Sequence, residues 1–161
     1  TISCYQLRPE SLGSIHIKSP DPRAHPAIRF NFLHDPIDRA AMTAGIRLMR
    51  HMMAQAPMDA YRGDEFSPGP EVSTDEQVLT WIRNNSQTAY HPIGTCRMGP
   101  LGTHAVVDDK LRVHGLDGLR VADASIFPTM PSGNTNAPSI MVGEKCADII
   151  RAERHGMRAA A

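Results

Sequence analysis

The sequence of 161 residues is poor in cysteine and aromatic residues and carries no excess of charge of either sign. Cys4, Cys96 and Cys146 form no Cys-x-x-Cys pair and are odd in number, which argues against a disulfide framework and favours a reducing compartment. Lys+Arg and Asp+Glu number 17 each, so the chain lacks the basic footprint of a nucleic-acid-binding protein. No apolar run approaches the roughly 20 residues of a membrane helix. These absences predict a cytoplasmic globular protein without a nucleic-acid partner or a membrane span.

Several motifs of common enzymes are also missing. The chain has no Gly-x-Gly-x-x-Gly dinucleotide motif, and Pro100 stands where a P-loop requires Lys. It has no Gly-x-Ser-x-Gly elbow, although a hydrolase triad could in principle draw on Ser125, Ser132, His91 and Asp123. Eight histidines raise the question of a metal site, but their spacing matches no common ligand set. We therefore predict no metal.

The pattern that is present indicates one α+β domain over residues 1–161. Alternating apolar residues predict two half-buried antiparallel strands at 14–18 and 28–32. Two further short strands are predicted at 110–113 and 119–122. Strands followed by helices favour an antiparallel sheet flanked by helices.

The first predicted helix begins at Asp35, a capping residue, followed by Pro36 at the first helical position. Helical spacing of apolar residues extends it to Ala54. The residues predicted to form its apolar face are Ile37, Ala41, Ala44, Leu48 and Met52.

Two more helices follow in the sequence. Ser73 and Glu76 match a capping box and predict a helix start, with Trp81 as a packing anchor. The last helix is predicted to be capped by Asn136 and to stop at Gly156. Its predicted apolar face consists of Ile140, Gly143, Ala147 and Ile150.

Two segments of the region 90–138 could carry chemistry. Pro92 biases the preceding His91 toward an extended backbone, and a histidine titrates near ~6.5, where it can accept a proton. A single histidine is nevertheless more often a structural or surface residue. The polar segment 132–136 runs into a helix N-terminus, whose free N–H groups can stabilise negative charge. The alternative is a loop that only caps its own helix.

Taken together and in order, these segments resemble the C-terminal region of the glucose–methanol–choline (GMC) oxidoreductases, in the choline dehydrogenase-like branch. The resemblance covers roughly residues 4 to 152. The segments that carry it are 90–99 (YHPIGTCRMG), 111–115 (LRVHG), 119–126 (LRVADASI) and 131–138 (PSGNTNAP).

This resemblance implies an FAD-dependent alcohol dehydrogenase or oxidase. His91 would be the general base that removes the alcohol proton while hydride moves to flavin N5, and Asn134 would orient the substrate oxygen. The physical chemistry agrees, because an imidazole can take the proton, whereas a neutral amide can only donate to the developing alkoxide.

The resemblance also implies flavin contacts. Asp123 and Ala124 would approach the phosphate or ribityl chain of FAD. Thr135 and Asn136 would lie beside the isoalloxazine. The fold it implies is the GMC substrate-binding domain, with a final strand and helix that return to the FAD domain.

The N-terminal FAD-binding half of the family lies outside these 161 residues. We expect it to complete the site in cis or in trans, and we expect the isolated chain to be inactive and to expose apolar surface where that half docks. Two other interpretations are a stand-alone binding or interaction module that retains the fold, and a histidine-based metal protein.

Overall fold

The computed structural model describes residues 1–159, with side chains up to residue 156. The chain divides into two compact units, Thr1–Ala89 and the part from Tyr90 onward, and each has its own hydrophobic core. The described residues contain one antiparallel pair of strands and three α-helices. This is the α+β class that the sequence predicts.

The strands of the first unit form a short hairpin. β1 (Ser14–His16) pairs antiparallel with β2 (Ala27–Arg29), and Ile15 lies opposite Ile28. Both strands are shorter than predicted, and every residue in them is exposed rather than half-buried. The prediction of half-buried strands was wrong because a two-stranded sheet buries a face only where another layer covers it.

Helix α1 (Pro36–Met53) begins where the sequence predicts, with the Asp35 carboxylate accepting a hydrogen bond of 2.7 Å from the N–H of Ile37. Its predicted apolar face is wrong, because Ile37 is 60% exposed and Leu48 is 58% exposed. The side chains of α1 that are buried are Asp38, Thr43 and Ile46.

Asp38 explains which side of α1 faces inward. Its carboxylate accepts hydrogen bonds from the backbone N–H groups of Glu10 at 2.9 Å and Ser11 at 2.8 Å. Burial raises the pKa of Asp38, but hydrogen bonds from the Ser11 hydroxyl, these two N–H groups and the Gln6 side chain together hold that pKa below its usual value. The N-terminal segment is thus fastened to α1 by a buried carboxylate.

Helix α2 (Asp75–Asn85) begins with a capping box one residue later than predicted. The Thr74 hydroxyl accepts from the N–H of Gln77, and the Gln77 side-chain oxygen accepts from the N–H of Thr74 at 3.0 Å. The same oxygen also accepts from the N–H of Ser73 at 3.1 Å. The box therefore pairs Thr74 with Gln77 rather than Ser73 with Glu76.

The core of the first unit lies between α1 and α2. Val78 and Ile82 are almost completely buried and pack with Ile46. Trp81 packs against this cluster, as predicted.

The core of the second unit lies between irregular loops and the last helix. The segments 110–113 and 119–122, predicted as strands, form only the isolated antiparallel bridges Arg112↔Arg120 and Val107↔Val113. No strand follows β2 in residues 30–159, so the expected final strand is reduced to these bridges. The buried residues of this core are Val107, Leu111, Ile126, Val142 and Cys146.

Helix α3 (Asn136–Ala159) starts at Asn136, so Thr135 occupies the capping position that the sequence assigns to Asn136. The helix continues through Gly156, where the sequence predicts a stop. One glycine inside a helix costs only about 1 kcal/mol relative to alanine, so it does not have to end one. An ion pair of 2.5 Å between Arg120 and Glu153 ties the last turns of α3 to the loop before it.

The buried face of α3 also differs from the prediction. Val142 and Cys146 are buried, whereas Ile140 is 61% exposed and Gly143 is exposed. Ile150 packs against the edge of the core, as predicted.

Candidate active site

His91 lies on an irregular segment with an unusual backbone. Tyr90, directly before it, has φ of 62°, in the left-handed region that non-glycine residues rarely adopt. Pro92 follows, and Gly94 again has a positive φ of 80°. Strained backbone such as that at Tyr90 is one feature of functional sites.

The structure brings His91 to the start of α3. Its Nδ1 lies 3.1 Å from the hydroxyl oxygen of Thr135, within hydrogen-bond distance, although the two residues are 44 positions apart in the sequence. Both residues are half-buried. Two of the segments that the sequence singles out therefore meet at one place.

Two asparagines are the neighbours of Thr135 in the sequence. Asn134 and Asn136 flank Thr135 and are both exposed. The first N–H groups of a helix have no carbonyl partner within it and carry partial positive charge. The N-terminus of α3 thus offers hydrogen-bond donors next to Thr135: the side-chain amides of Asn134 and Asn136 and the free backbone N–H groups of the first turn.

Backbone pairing places a third predicted segment next to the histidine segment. The N–H of Cys96 donates to the carbonyl of Ser125 at 3.0 Å, and the N–H of Met98 donates to the carbonyl of Ile126 at 2.8 Å. The predicted flavin contacts Asp123 and Ala124 lie directly before this pairing.

Asp123 begins the short 3-10 turn Ala124–Ile126, and one of its carboxylate oxygens accepts from the N–H of Ser125 at 2.8 Å. The hydroxyl oxygen of Ser125 is buried and has no hydrogen-bond partner. A buried polar atom left unpaired is costly and calls for an explanation. Sequence reasoning did not assign Ser125 to the flavin site, although it lies inside the matching segment 119–126.

A loop elsewhere in the second unit is held by the carboxylate of Asp108. Asp108 accepts from the N–H groups of Lys110 at 2.9 Å and Arg112 at 2.8 Å, and it pairs with the Arg112 guanidinium at 2.8 Å. Burial raises the pKa of Asp108, but these bonds from Arg112 and Lys110 outweigh it and leave the pKa below its usual value. The loop that carries Val107 and Leu111 into the core is therefore fixed by an ionised group.

Neither a metal cluster nor a membrane-spanning helix is present in the part of the chain that the structure describes. There, no group of three or more His, Cys, Asp or Glu residues is placed to hold a metal ion. Across the same residues, no helix combines the length and the apolarity that a membrane crossing requires.

A half-buried histidine at the N-terminus of a long helix, with amide donors beside it, is suited to proton transfer. The sequence profile of the GMC oxidoreductases matches residues 9–143. The chain belongs to the GMC oxidoreductase family and matches its C-terminal part, as the motifs predict.

Similar proteins extend this result. An oxygen-dependent choline dehydrogenase of Chromohalobacter salexigens is 51% identical over 145 residues, which are 90% of this chain and 26% of that protein. A protein with the same description from Escherichia coli O17:K52:H18 is 52% identical over 145 residues, again 90% of this chain and 26% of its own length. The chain thus spans about a quarter of the length of these relatives.

Solved structures show the same fold. A fungal aryl-alcohol oxidase superposes with a TM-score of 0.84 at 35% identity, covering 92% of this chain and 25% of that one. Pyridoxine 4-oxidase from Mesorbium loti also gives 0.84, at 31% identity over 92% of this chain and 28% of its own. A formate oxidase of Aspergillus oryzae, studied for modification of its FAD, gives 0.80 at 35% identity over 89% of this chain and 25% of its own.

Proposed function

We propose that this chain supplies the catalytic base and part of the flavin contact surface of an FAD-dependent alcohol oxidoreductase. The observation that carries the proposal is the contact between His91 and Thr135, which places a histidine at the N-terminus of α3. Because the chain spans about a quarter of its relatives, an N-terminal FAD-binding half, in cis or in trans, would complete the site.

In this proposal His91 removes the proton of the substrate hydroxyl. An imidazole is suited to this step because it changes protonation state near neutral pH. A positioned general base contributes about 10²–10⁴-fold to a reaction rate. The left-handed backbone at Tyr90 and the ring of Pro92 limit the directions in which the His91 side chain can leave the chain.

Asn134 orients the substrate oxygen. Its neutral side-chain amide can donate a hydrogen bond to the alkoxide that develops as the proton leaves, but it cannot accept the proton. Its exposed position beside Thr135 leaves it accessible to a substrate.

The residues present fit FAD as the cofactor of the intact enzyme, as the sequence predicts. When bound, FAD would supply the acceptor for the hydride that leaves the substrate carbon. Asp123, Ala124 and Ser125 would contact its phosphate or ribityl chain, and the unpaired Ser125 hydroxyl is a group that such a polar ligand would satisfy. Thr135 and Asn136 would contact the isoalloxazine, with the positive end of α3 favouring negative charge there.

The substrate class is a small-molecule alcohol. The described choline dehydrogenases, aryl-alcohol oxidase and pyridoxine 4-oxidase support this class. Choline is the first substrate to test, since the two choline dehydrogenases share 51% and 52% identity with this chain.

The direct test is His91→Ala in the flavin-loaded intact enzyme, with His155→Ala as a matched control. His155 is an exposed residue of α3 outside the site. We expect His91→Ala to lower kcat by about 10²–10⁴-fold with the FAD content unchanged, and His155→Ala to change neither.

Near-normal turnover in His91→Ala would refute the base assignment. An intact wild-type flavoprotein that oxidises no alcohol would instead favour a binding or interaction module.

A further inference from the structure

We infer that Thr135 is a positioning residue for His91. Its hydroxyl oxygen accepts a hydrogen bond from Nδ1–H of His91 and so keeps the lone pair of Nε2 free for the alcohol proton. This inference rests on the proposed role of His91 as the base. The positioning of His91 is a role of Thr135 in addition to the flavin contact that the family resemblance implies.

The Thr135 side of the contact is anchored. The carbonyl oxygen of Thr135 accepts from the N–H of Ser139 at 3.0 Å and from the hydroxyl of Ser139 at 2.6 Å. These bonds fix Thr135 at the first turn of α3, a helix of 24 residues. The Thr135 hydroxyl is therefore held in a defined position 3.1 Å from Nδ1 of His91.

The His91 side needs such a partner. Pro92 and the left-handed Tyr90 restrict the backbone, but an imidazole ring can still rotate about its own side-chain bonds. A hydrogen bond at Nδ1 fixes one ring orientation, and whether the Thr135 hydroxyl accepts or donates in it corresponds to which ring nitrogen carries the proton. Thr135 provides this hydrogen bond, and Asn134 precedes it in the same segment. One segment therefore positions both the base and the group that orients the substrate oxygen.

The proposed role of His91 as the base determines the direction of this hydrogen bond. A neutral imidazole carries one N–H. If Nδ1 carries it, Nδ1–H donates to the oxygen of Thr135, and the lone pair of Nε2 takes the substrate proton. The imidazolium that results carries both N–H groups and keeps the same bond to Thr135. In the other tautomer the Thr135 hydroxyl donates to Nδ1 and Nε2 already holds a proton, so Nε2 cannot take the proton of the substrate.

Two variants of the flavin-loaded intact enzyme separate the effect of the Thr135 hydroxyl from that of the side-chain shape. Thr135→Val keeps the shape of the side chain and removes the oxygen, whereas Thr135→Ser keeps the oxygen. We expect Thr135→Val to lower kcat about 10-fold, the order of one lost hydrogen bond, with KM for choline little changed. We expect Thr135→Ser to retain most of the wild-type kcat. The kcat of each variant is expressed per bound FAD, so that a loss of cofactor is distinguished from a loss of positioning.

A double-mutant cycle separates positioning from a structural role. If Thr135 acts through His91, Thr135→Val should cause no further loss of kcat in the His91→Ala background. An equal loss in both backgrounds, or equal losses in Thr135→Val and Thr135→Ser, would overturn the inference.

The same set of variants distinguishes the two proposals. If His91→Ala retains turnover, the proposed function fails. If His91→Ala is impaired while Thr135→Val behaves as wild type, only the positioning role fails.

Discussion

In the proposed site two residues have different roles. His91 can take the proton of the alcohol, whereas Asn134 can only donate a hydrogen bond to the substrate oxygen. His91 and Asn134 lie on separate segments, and Thr135 links them because it contacts His91 and follows Asn134 in the chain. The sequence identifies both segments as unusual. It could not predict the contact itself, because nothing local joins residues 44 positions apart.

Replacing Asn134 tests the second role. Asn134→Ala should lower kcat by about 10²–10³-fold, the cost of one oxyanion-type donor, and by less than His91→Ala. Asn134→His restores a donor at the same place and should recover part of the loss. Steady-state kinetics with choline check this, and an unchanged kcat in Asn134→Ala would exclude the role.

The buried carboxylate of Asp38 predicts a pH dependence of stability. Its pKa is held below the ordinary ~3.9, so the unfolded chain binds the proton first as the pH falls. The stabilisation is complete above the unfolded pKa and is lost as the pH falls through the lower folded pKa.

Asp38→Asn should therefore reduce the free energy of unfolding by about 1.5–3 kcal/mol at pH 7, the value of hydrogen bonds to a charged group. The difference from wild type should shrink below about pH 4. Urea unfolding followed by Trp81 fluorescence reports on this unit, and the exposed Asp64→Asn serves as control. A difference that is constant down to pH 2 would contradict the assignment.

Elements with local signals were predicted best. Asp35 and Pro36 fix the start of α1 because a cap and a proline act within one turn. The buried face of α1 was missed because the partner of Asp38 is the distant backbone of Glu10 and Ser11. Periodicity alone cannot show which side of a helix is covered.

The strand predictions at 110–113 and 119–122 also show that a local pattern does not predict the extent of tertiary pairing. The alternating pattern locates the bridge between Arg112 and Arg120. Gly115 and Gly118, with φ of 77° and 75°, turn the chain between the two segments. The pairing is limited to single bridges. The alternation of polar and apolar residues does not predict how many residues of the two segments pair.

A substitution at Gly13 tests the close approach of the chain to the hairpin. A Cβ at Gly13 would lie 2.1 Å from the carbonyl oxygen of Arg29, a backbone atom that cannot move aside. Gly13→Ala should destabilise the hairpin by about 1–3 kcal/mol, which corresponds to a roughly 5- to 150-fold larger population of the locally open state.

Hydrogen exchange of peptides covering residues 12–31 measures this opening. Gly63→Ala is the control, since nothing lies within 4 Å of its added Cβ. Because the hairpin is exposed, the Trp81 unfolding transition should change little. Unchanged exchange in Gly13→Ala would contradict the close approach.

At the scale of the whole molecule, the chain carries much apolar surface. Phe30 and Phe32 stack at 5.1 Å between ring centroids and are 53% and 62% exposed. Ile15 and Ile28 of the hairpin are also exposed, at 43% and 57%. Such surface agrees with the proposal that a second half, absent from these 161 residues, covers part of the chain.

The isolated chain should therefore not retain FAD. It lacks the Gly-x-Gly-x-x-Gly motif that holds the dinucleotide in other enzymes. A visible spectrum taken after adding FAD and gel filtration should show no flavin band, whereas the intact enzyme should show one. A retained band would mean that the 161 residues hold the cofactor without the other half.

If His91 takes the alcohol proton, its loss slows the reduction of the flavin, which the rate of flavin bleaching in the intact enzyme measures. The flavin-loaded wild type and His91→Ala are mixed with choline without oxygen and followed by stopped-flow absorbance. We expect the flavin of His91→Ala to bleach about 10²–10⁴-fold more slowly at equal FAD content. Bleaching at the wild-type rate would contradict this role of His91.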